Sequence, residues 1–406
     1  MSGGPRFHRL WQVGLWLVIL IVWGVWFKIM TVLAGMAPTH ALDFDVYYAA
    51  AQALRFDHSA NIYDIATLLH AGHVHGLCSY AAPALPPYLY PPLLAIALEP
   101  LTLLPCASAA IVWLYFNATL WAAATLLLAD VLAMRWPGRR LEATALMSIV
   151  SLCFWHAYYG AQLGQVHLIV LAGIVLAMWL VERGRPGLAG GALAVVMIIK
   201  LFPALLVVYY LLRGRFRVLG GVAIVGAVLV VIMLVWSSPL TFERSLSAAF
   251  VGVSKLARPG MNEALFVTSP IGRLLAAMVG VVFLAVNVAR RRGDALLGVG
   301  WTLCTMLLIS PLVWSFYLVW LVPTFCACLA AIGPLNGGSW GARSMWALFA
   351  TLYVALVWQA PLPVPPLATL ALWALTGALY WRSSGAAPRT RASDAVLGAG
   401  TKAVRT

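Results

Sequence analysis

Apolar residues recur in long runs along this chain of 406 residues, and polar residues are gathered in the short stretches between the runs. Runs of about 17–25 apolar residues are long enough to cross a hydrocarbon core roughly 30 Å thick. The clearest runs are Leu10–Leu33, Ala107–Ala133, Leu163–Val181, Val218–Trp236 and Ile271–Ala289. The pattern predicts an all-α, polytopic membrane protein of about 12–13 transmembrane helices.

The first apolar run follows Arg6 and Arg9, as the hydrophobic part of a signal peptide would. It is longer than that part usually is, and no small-residue cleavage site ends it, so we interpret it as the first transmembrane helix. No internal repeat indicates two matching halves. We therefore expect a single transmembrane domain over residues 1–382 and a disordered tail, rich in Ser, Ala, Gly and Arg, over residues 383–406.

Composition agrees with a membrane protein, because 63% of the residues are hydrophobic and only 9% are charged. A net charge of +14 is compatible with a nucleic-acid partner, but most of the 26 Lys and Arg residues stand in short clusters at the ends of apolar runs. That distribution is typical of cytoplasmic loops, whereas a nucleic-acid surface would gather its charge on one domain with aromatic residues. The clusters are Arg6/Arg9, Arg135/Arg139/Arg140, Arg183/Arg185, Arg213/Arg215/Arg217, Arg290–Arg292, Arg343 and Arg382–Arg405.

With these clusters on the cytoplasmic side, the parity of crossings assigns the remaining loops. Residues 34–90 become the first periplasmic loop, with surface helices, and residues 237–270 lie on the same outer side. Pro91–Leu104 is apolar but short, so it is either a full span or a helix that only dips into the membrane. Between Arg185 and Arg213 the chain must leave and regain the cytoplasmic side in too few residues for two spans. We expect two half-helices there that meet near Lys200–Pro203, since proline interrupts a helix.

Two carboxylates in the first outer loop are candidates for catalysis. Asp43 and Asp45 open the run DFDVYYAAAQAL, which has the pattern of an amphipathic surface helix. A carboxylate at the membrane boundary can act as a general base on a hydroxyl. The alternative is structural, with Asp43 as the N-cap of the helix and Asp45 as a favourable charge in its first turn.

Four other polar features share the outer side. Tyr90 ends the segment Tyr-Leu-Tyr before Pro91, and Gln165 lies in the turn GAQLGQVH. Lys200 would cost about 2.5–3.5 kcal/mol to insert without a partner, and Arg273 could bind a lipid phosphate through two parallel hydrogen bonds. The alternatives are an aromatic interface anchor, a plain turn and a lysine that reaches for the interface. Together the features suit transfer of a group from a lipid-linked phosphate.

Cysteine contributes little to this interpretation. Cys78 stands alone in an outer loop and the other five cysteines lie in apolar stretches, so we expect neither a disulfide framework nor a metal site of paired cysteines. No cofactor is expected. Asp43 and Asp45 are too few hard ligands for a dedicated metal site, and dependence on a divalent metal stays open.

The order of these segments resembles the GT-C membrane glycosyltransferases, and most closely glycosyltransferase family 87, the polyprenol-phosphate-mannose-dependent α-1,2-mannosyltransferases. The resemblance is carried by DFDVYYAAAQAL with NIYD downstream, YPPLLAIALEPLTLLP, GQVHLIVLAG, the segment GRPGLAGG to LLRGRFR around MIIKLFP, NEALFVTSPIGRLL and SPLVWSFYLVWLVP. It extends from Asp43 to Pro323.

The resemblance implies an inverting transfer from a polyprenyl-phosphate sugar, with Asp43 as the essential carboxylate. It puts Lys200 and Arg273 on the donor phosphate. The candidate substrate-binding residues are Tyr47, Tyr90, Gln165, Asn262 and Tyr317. Some members carry His-His where this chain has Phe316-Tyr317, and His167 and Glu263-Ala264 also depart from the family pattern.

The sequence thus predicts a hexosyltransferase of the inner (plasma) membrane with both termini in the cytoplasm and its active site on the periplasmic side. Its partners would be a polyprenyl-phosphate sugar, a lipid or glycan acceptor and membrane lipids, with no nucleic acid. Mannose is implied by the resemblance, while arabinose or another pentose and the identity of the acceptor stay open. The alternative is a transporter or flippase of lipid-linked sugars, or a scaffold without activity. A transporter would be expected to show two similar halves with broken helices at the midplane.

Overall fold

The computed structural model describes residues 5–78, 85–256, 270–290, 293–334, 340–357 and 364–383. Within these ranges the chain forms seventeen α-helices and two 3₁₀ helices, Glu99–Leu103 and Ser315–Leu321, with no β-strand. The predicted all-α fold is therefore confirmed. The α-helices are α1 (Pro5–His40), α2 (Leu42–Phe56), α3 (Ile65–His75), α4 (Pro92–Leu98), α5 (Cys106–Arg135), α6 (Arg140–Leu152), α7 (Trp155–Gln162), α8 (His167–Glu182), α9 (Pro186–Ile199), α10 (Ala204–Leu212), α11 (Phe216–Trp236), α12 (Pro239–Leu256), α13 (Pro270–Ala289), α14 (Ala295–Ile309), α15 (Val322–Ile332), α16 (Trp340–Val357) and α17 (Val364–Ser383).

Six helical segments are long and apolar enough to cross a membrane, and six further apolar helices are shorter, at 10–17 residues. The protein is therefore a polytopic membrane protein, and the number of crossings stays a prediction. The long segments are Arg9–His40, Cys106–Arg135, Phe216–Trp236, Pro270–Ala289, Ser315–Ile332 and Val364–Ser383.

The surface of α11 illustrates why lipid must surround these helices. In its most apolar stretch of 18 residues the mean hydropathy is 3.0, yet only 17% of that stretch is buried inside the protein. Val235 is 80% exposed and Ile224 is 70% exposed. A monomeric soluble protein does not expose so continuous an apolar surface to water.

Helix α11 packs against α9 through glycines, so closely that the two backbones touch. A Cβ atom on Gly221 would lie 2.0 Å from the carbonyl oxygen of Gly187 and 3.1 Å from the nitrogen of Gly191. A Cβ on Gly190 would lie 2.0 Å from the carbonyl oxygen of Val218. Since lipid gives helices no hydrophobic reason to associate, such close approach of small residues supplies the packing energy.

The ends of several helices that carry the arginine clusters meet at one end of the molecule. Arg135 at the end of α5 forms ion pairs with Glu182 of α8 at 2.9 Å and with Asp294 before α14 at 2.7 Å. Arg183 pairs with Asp130 of α5.

A second group of contacts joins the ends of α10, α13 and α17 through Tyr380. Arg213 donates to the Tyr380 hydroxyl at 3.2 Å, and that hydroxyl lies 3.0 Å from the carbonyl oxygen of Arg290. Arg213 also donates to the Tyr209 hydroxyl, which in turn lies 3.1 Å from the carbonyl oxygen of Ala295 at the start of α14. The clusters around Arg135, Arg183, Arg213 and Arg290 thus share one end, as the parity argument requires.

The stretch Pro91–Leu104, which left the number of crossings open, is too short to span the membrane. It forms α4 and the 3₁₀ helix Glu99–Leu103, and α4 with its seven residues is about 10 Å long. Tyr48 of α2 donates to the carbonyl oxygen of Leu104 at 2.7 Å, and Tyr47 of α2 contacts the hydroxyl of Tyr90 at 3.0 Å, so both ends of this stretch pack on the same helix. It is a short helix packed against α2, which favours the prediction that it does not cross the membrane.

The predicted pair of half-helices is confirmed. Helix α9 has 14 residues and α10 has nine, so they are about 21 Å and 14 Å long, both short of the roughly 30 Å needed to cross. Lys200 ends α9 with extended backbone angles, and Pro203 precedes α10. Lys200 thus lies in the break between two helices that are each too short to cross a membrane.

One expectation about cysteine is wrong. Cys78 and Cys106 form a disulfide, with Cα atoms 5.4 Å apart. Cys106 is the first residue of α5 and looked like part of an apolar run, which hid its position at the helix end. The remaining cysteines, Cys153, Cys304, Cys326 and Cys328, are free.

Candidate active site

The site begins where the turn after α7 meets the start of α2. The N–H groups of Gly164 and Gln165 donate to the carbonyl oxygens of Ala161 and Gly160 at 3.0 Å and 2.9 Å, which closes α7 in a Schellman motif. Gly164 has φ +74°, and a Cβ there would lie 2.6 Å from the Cβ of Phe44. A glycine is therefore required both for the backbone angle and for the close approach to α2.

Two hydrogen bonds hold this turn in register with its neighbours. The backbone N–H of Asp43 donates to the carbonyl oxygen of Leu163 at 2.9 Å. Trp113 of α5 donates from Nε1 to the carbonyl oxygen of Gly164 at 2.7 Å. The first turn of α2 and the residue after Gly164 are thereby placed side by side.

Asp43 and Gln165 are joined directly by their side chains. Gln165 donates from Nε2 to Oδ2 of Asp43 at 2.6 Å, and the Gln165 side chain is almost fully buried. Helix α2 begins at Leu42 with Ala41 at the N-cap position, so Asp43 is not the N-cap residue of the structural alternative. Its carboxylate is instead turned toward residues that lie far away in the sequence.

Two tyrosines complete the polar cluster. The hydroxyl of Tyr47 lies 3.2 Å from Oε1 of Gln165, and the hydroxyl of Tyr90 lies 3.1 Å from the same oxygen. The two hydroxyls are 3.0 Å apart. Burial raises the pKa of both tyrosines above the usual value of 10.0, so both remain hydrogen-bond donors at neutral pH.

Lys200 supplies the positive charge of the site. Its Nζ donates to the hydroxyl of Tyr317 and lies 3.9 Å from the centroid of that ring. The rings of Tyr90 and Trp320 surround the same ammonium at 5.5 Å and 5.7 Å. Contact with aromatic faces stabilises a cation without neutralising it, so the charge stays available to an anionic ligand.

Burial, Gln165 and Lys200 together set the pKa of Asp43. Removal from water raises the pKa of its carboxyl, because burial disfavours the charged form. The hydrogen bond from Gln165 and the positive charge of Lys200 act in the opposite direction and lower that pKa. The balance is a carboxyl whose pKa lies above the usual value, which makes it a stronger base than an ordinary aspartate.

Asp45 faces a different part of the molecule. Residues two apart on a helix point about 200° from each other, and the fully buried Asp45 accepts a hydrogen bond from the backbone N–H of Cys78 at 3.2 Å. Its Oδ1 also lies 3.5 Å from Sγ of Cys106. This trio is no metal site, because two sulfurs joined in a disulfide offer no thiolate. Of the two predicted catalytic carboxylates, Asp43 contacts Gln165, whereas Asp45 contacts Cys78.

The structure brings Asp43, Tyr47, Tyr90, Gln165, Lys200 and Tyr317 together, but two other predicted residues lie elsewhere. Arg273 is in the first turn of α13 with its side chain exposed, and no hydrogen bond or ion pair joins it to a residue within the described ranges. Asn262 lies outside the described residues. Their predicted roles stay predictions.

Sequence analysis did not single out Trp320 or Tyr63. Trp320 follows Tyr317 by three residues, a spacing that places both on one face of a helix, and their rings stack at 4.6 Å. Tyr63 of the NIYD segment donates to the carbonyl oxygen of Tyr90 at 2.8 Å and so helps to fix the backbone of Tyr90. The helical spacing was a usable signal for Trp320; nothing local indicated the contact of Tyr63.

The arrangement combines a general-base candidate with a cation that binds anions. A hydroxyl brought to Asp43 can lose its proton there, and a phosphate brought to Lys200 can leave with its charge stabilised. Two groups of opposite charge in one polar cluster suit a transfer between a phosphate ester and an alcohol. The cluster lies toward the start of α5, away from Arg135 at the other end of that helix.

Comparison with known proteins agrees with this chemistry. No curated protein and no solved structure matches the chain. The profile of glycosyltransferase family 87 matches residues 88–311, which is more than half of the chain. The matched range includes Tyr90, Gln165 and Lys200. The predicted resemblance is therefore confirmed, and the chain belongs to glycosyltransferase family 87, so it is a membrane glycosyltransferase.

Proposed function

We propose that this glycosyltransferase moves a hexose, with mannose as the first candidate, from a polyprenyl phosphate to a hydroxyl of a lipid or glycan acceptor. The observation that carries the proposal is the placement of Asp43 and Lys200 around Gln165 and the aromatic residues. A nucleotide donor would need a site for a diphosphate and a base, whereas one cation in an aromatic setting suits a single phosphate joined to a lipid.

The reaction is a single displacement. The acceptor oxygen forms a bond to C1 of the sugar while its proton passes to Asp43, and the bond from C1 to the phosphate oxygen breaks. The polyprenyl phosphate leaves with the bonding electrons, and Lys200 stabilises its negative charge. One displacement inverts the configuration at C1.

We further propose that the site faces the periplasm and that the protein resides in the inner membrane. Short loops rich in Arg favour the cytoplasm, and the arginine clusters meet at the end opposite the site. The disulfide Cys78–Cys106 belongs to the end with Asp43, and disulfides persist in oxidising compartments such as the periplasm. Charge and redox chemistry thus support the same orientation.

The test is incubation of the purified protein with a panel of polyprenyl-phosphate sugars and detection of the released polyprenyl phosphate. Asp43→Asn should reduce transfer by about 10²–10⁴-fold, the usual contribution of a general base. Asp57→Asn is the matched control, because Asp57 follows the other end of α2, is exposed and interacts with Ser59. It should retain full activity.

Near-full transfer by Asp43→Asn would refute the role of Asp43 as base. Retention of configuration at C1 in the product would refute the single displacement. Movement of a lipid-linked sugar across vesicle membranes without transfer, unaffected by Asp43→Asn, would support the transporter alternative instead.

A further inference from the structure

The side-chain amide of Gln165 has two ends with different partners. Nε2 donates to the carboxylate of Asp43 at 2.6 Å. Oε1 lies within 3.2 Å of the hydroxyls of Tyr47 and Tyr90. One hydrogen of Nε2 and both lone pairs of Oε1 are therefore committed to protein groups and not to a substrate.

We propose that Gln165 is a positioning residue whose amide, oriented by the hydroxyls of Tyr47 and Tyr90, aims Asp43 and keeps it ionised. This inference rests on the proposed role of Asp43 as general base. It assigns Gln165, Tyr47 and Tyr90 a task other than the substrate binding that the sequence predicts.

The orientation of the amide follows from counting hydrogens. Tyr47 O, Tyr90 O and Gln165 Oε1 form a triangle with edges of 3.0, 3.1 and 3.2 Å. The two hydroxyls have one hydrogen each, and both hydrogens cannot occupy the edge between the two tyrosines. Within the described residues neither hydroxyl has another acceptor, so at least one of them donates to Oε1 and the NH₂ group faces Asp43.

The reverse orientation would place Oε1 against a carboxylate oxygen of Asp43. Two acceptors at such a distance repel each other unless Asp43 carries a proton. The tyrosines therefore hold the NH₂ group of Gln165 toward Asp43, and this orientation stabilises the charged form of the Asp43 carboxylate. The other groups that face Asp43 are Lys200, which also favours its charge, and the hydroxyl of Tyr317.

The backbone around Gln165 is fixed well enough for this task. Gly164 is pressed against Phe44, its carbonyl oxygen accepts from Trp113, and Leu163 accepts from the N–H of Asp43 itself. The amide and the carboxylate are thus tied together through the backbone as well as through their side chains. A hydrogen bond between them survives only if both hold this geometry.

The experiment measures the titration of Asp43 directly, by infrared difference spectra of its carboxyl band against Asp43→Asn. Gln165→Met keeps the length of the side chain and removes the donor, so Asp43 should titrate at higher pH than in the native protein. Tyr90→Phe removes one of the two orienting hydroxyls and should give a smaller displacement in the same direction. Tyr48→Phe is the control, since it removes a hydroxyl from the same helix whose partner is the carbonyl of Leu104.

Turnover gives a second measurement on the same variants. In Gln165→Met the acid limb of kcat/KM should move to higher pH, and each unit of displacement lowers kcat/KM on that limb about tenfold. Part of the activity should return at high pH. A purely structural role would lower kcat/KM by the same factor at every pH.

An unchanged titration of Asp43 in both Gln165→Met and Tyr90→Phe would overturn the inference. If Gln165→Met fails to fold, Tyr90→Phe decides by itself. If the native protein transfers no sugar from any polyprenyl phosphate while Asp43 still titrates lower than in Gln165→Met, the proposed function is wrong and the positioning of the carboxylate stands.

Discussion

The disulfide between Cys78 and Cys106 offers a quantitative test of the fold on the side of the active site. It links residues 28 apart in the sequence and closes a loop that carries Tyr90 and α4. Cys78→Ser removes the link and leaves the folded contacts of Tyr90 in place. The main effect should be on the unfolded chain, which gains the freedom that the link denies it.

The expected size follows from the length of the loop. With 28 residues in the loop, the entropy lost by the cross-linked unfolded chain is about 12 cal/mol/K, which corresponds to about 3.6 kcal/mol at 25 °C. We therefore expect Cys78→Ser to lower the free energy of unfolding by about that amount in a denaturant titration in detergent micelles. Cys106→Ser should have a similar effect, and Cys153→Ser, which removes a free cysteine, should have little effect.

A labelling assay establishes first whether the link is present. Of six cysteines, four are free, so the denatured protein should gain four maleimide-polyethylene-glycol groups without reductant and six after reduction. Six groups without reductant would show that the disulfide is absent from the purified protein. Equal unfolding midpoints for oxidised and reduced protein would refute the loop-entropy argument.

Three further predictions concern packing, charge and substrate. Gly221→Ala should destabilise the protein by about 1–3 kcal/mol in the same titration, because its Cβ would lie 2.0 Å from the carbonyl oxygen of Gly187, whereas Gly226→Ala on the open face of α11 should not. Asp43→Asn should stabilise the protein at pH 7 and leave its stability unchanged well below pH 4. The reason is that a carboxyl whose pKa is raised by folding favours the fold while it is protonated and loses that contribution as pH rises through its folded pKa. An unchanged unfolding midpoint at both pH values would contradict the raised pKa. Lys200→Met should raise KM for a polyprenyl-phosphate sugar at least tenfold in the transfer assay, since the cation beside Tyr317 would be lost, and an unchanged KM would exclude Lys200 from the phosphate site.

The sequence by itself determined the class of fold and the break between two short helices at Lys200. A hydrocarbon core requires apolar runs of a set length, so the long spans were visible residue by residue. The distance from Arg185 to Arg213 left room for two half-helices but not for two spans, and Pro203 marked the break. Order along the chain was also enough for the family resemblance and for Asp43 and Lys200 as candidates.

The tertiary structure decided which side chains meet. Gln165 and Asp43 are 122 residues apart, and their contact depends on how the turn at Gly164 docks against α2. That docking turns Asp43 toward Gln165 and therefore turns Asp45 toward the disulfide, because residues two apart on a helix face nearly opposite ways. The pairing of Cys78 with Cys106 was likewise hidden, since periodicity describes the faces of one helix and carries no information about which distant segment packs on each face.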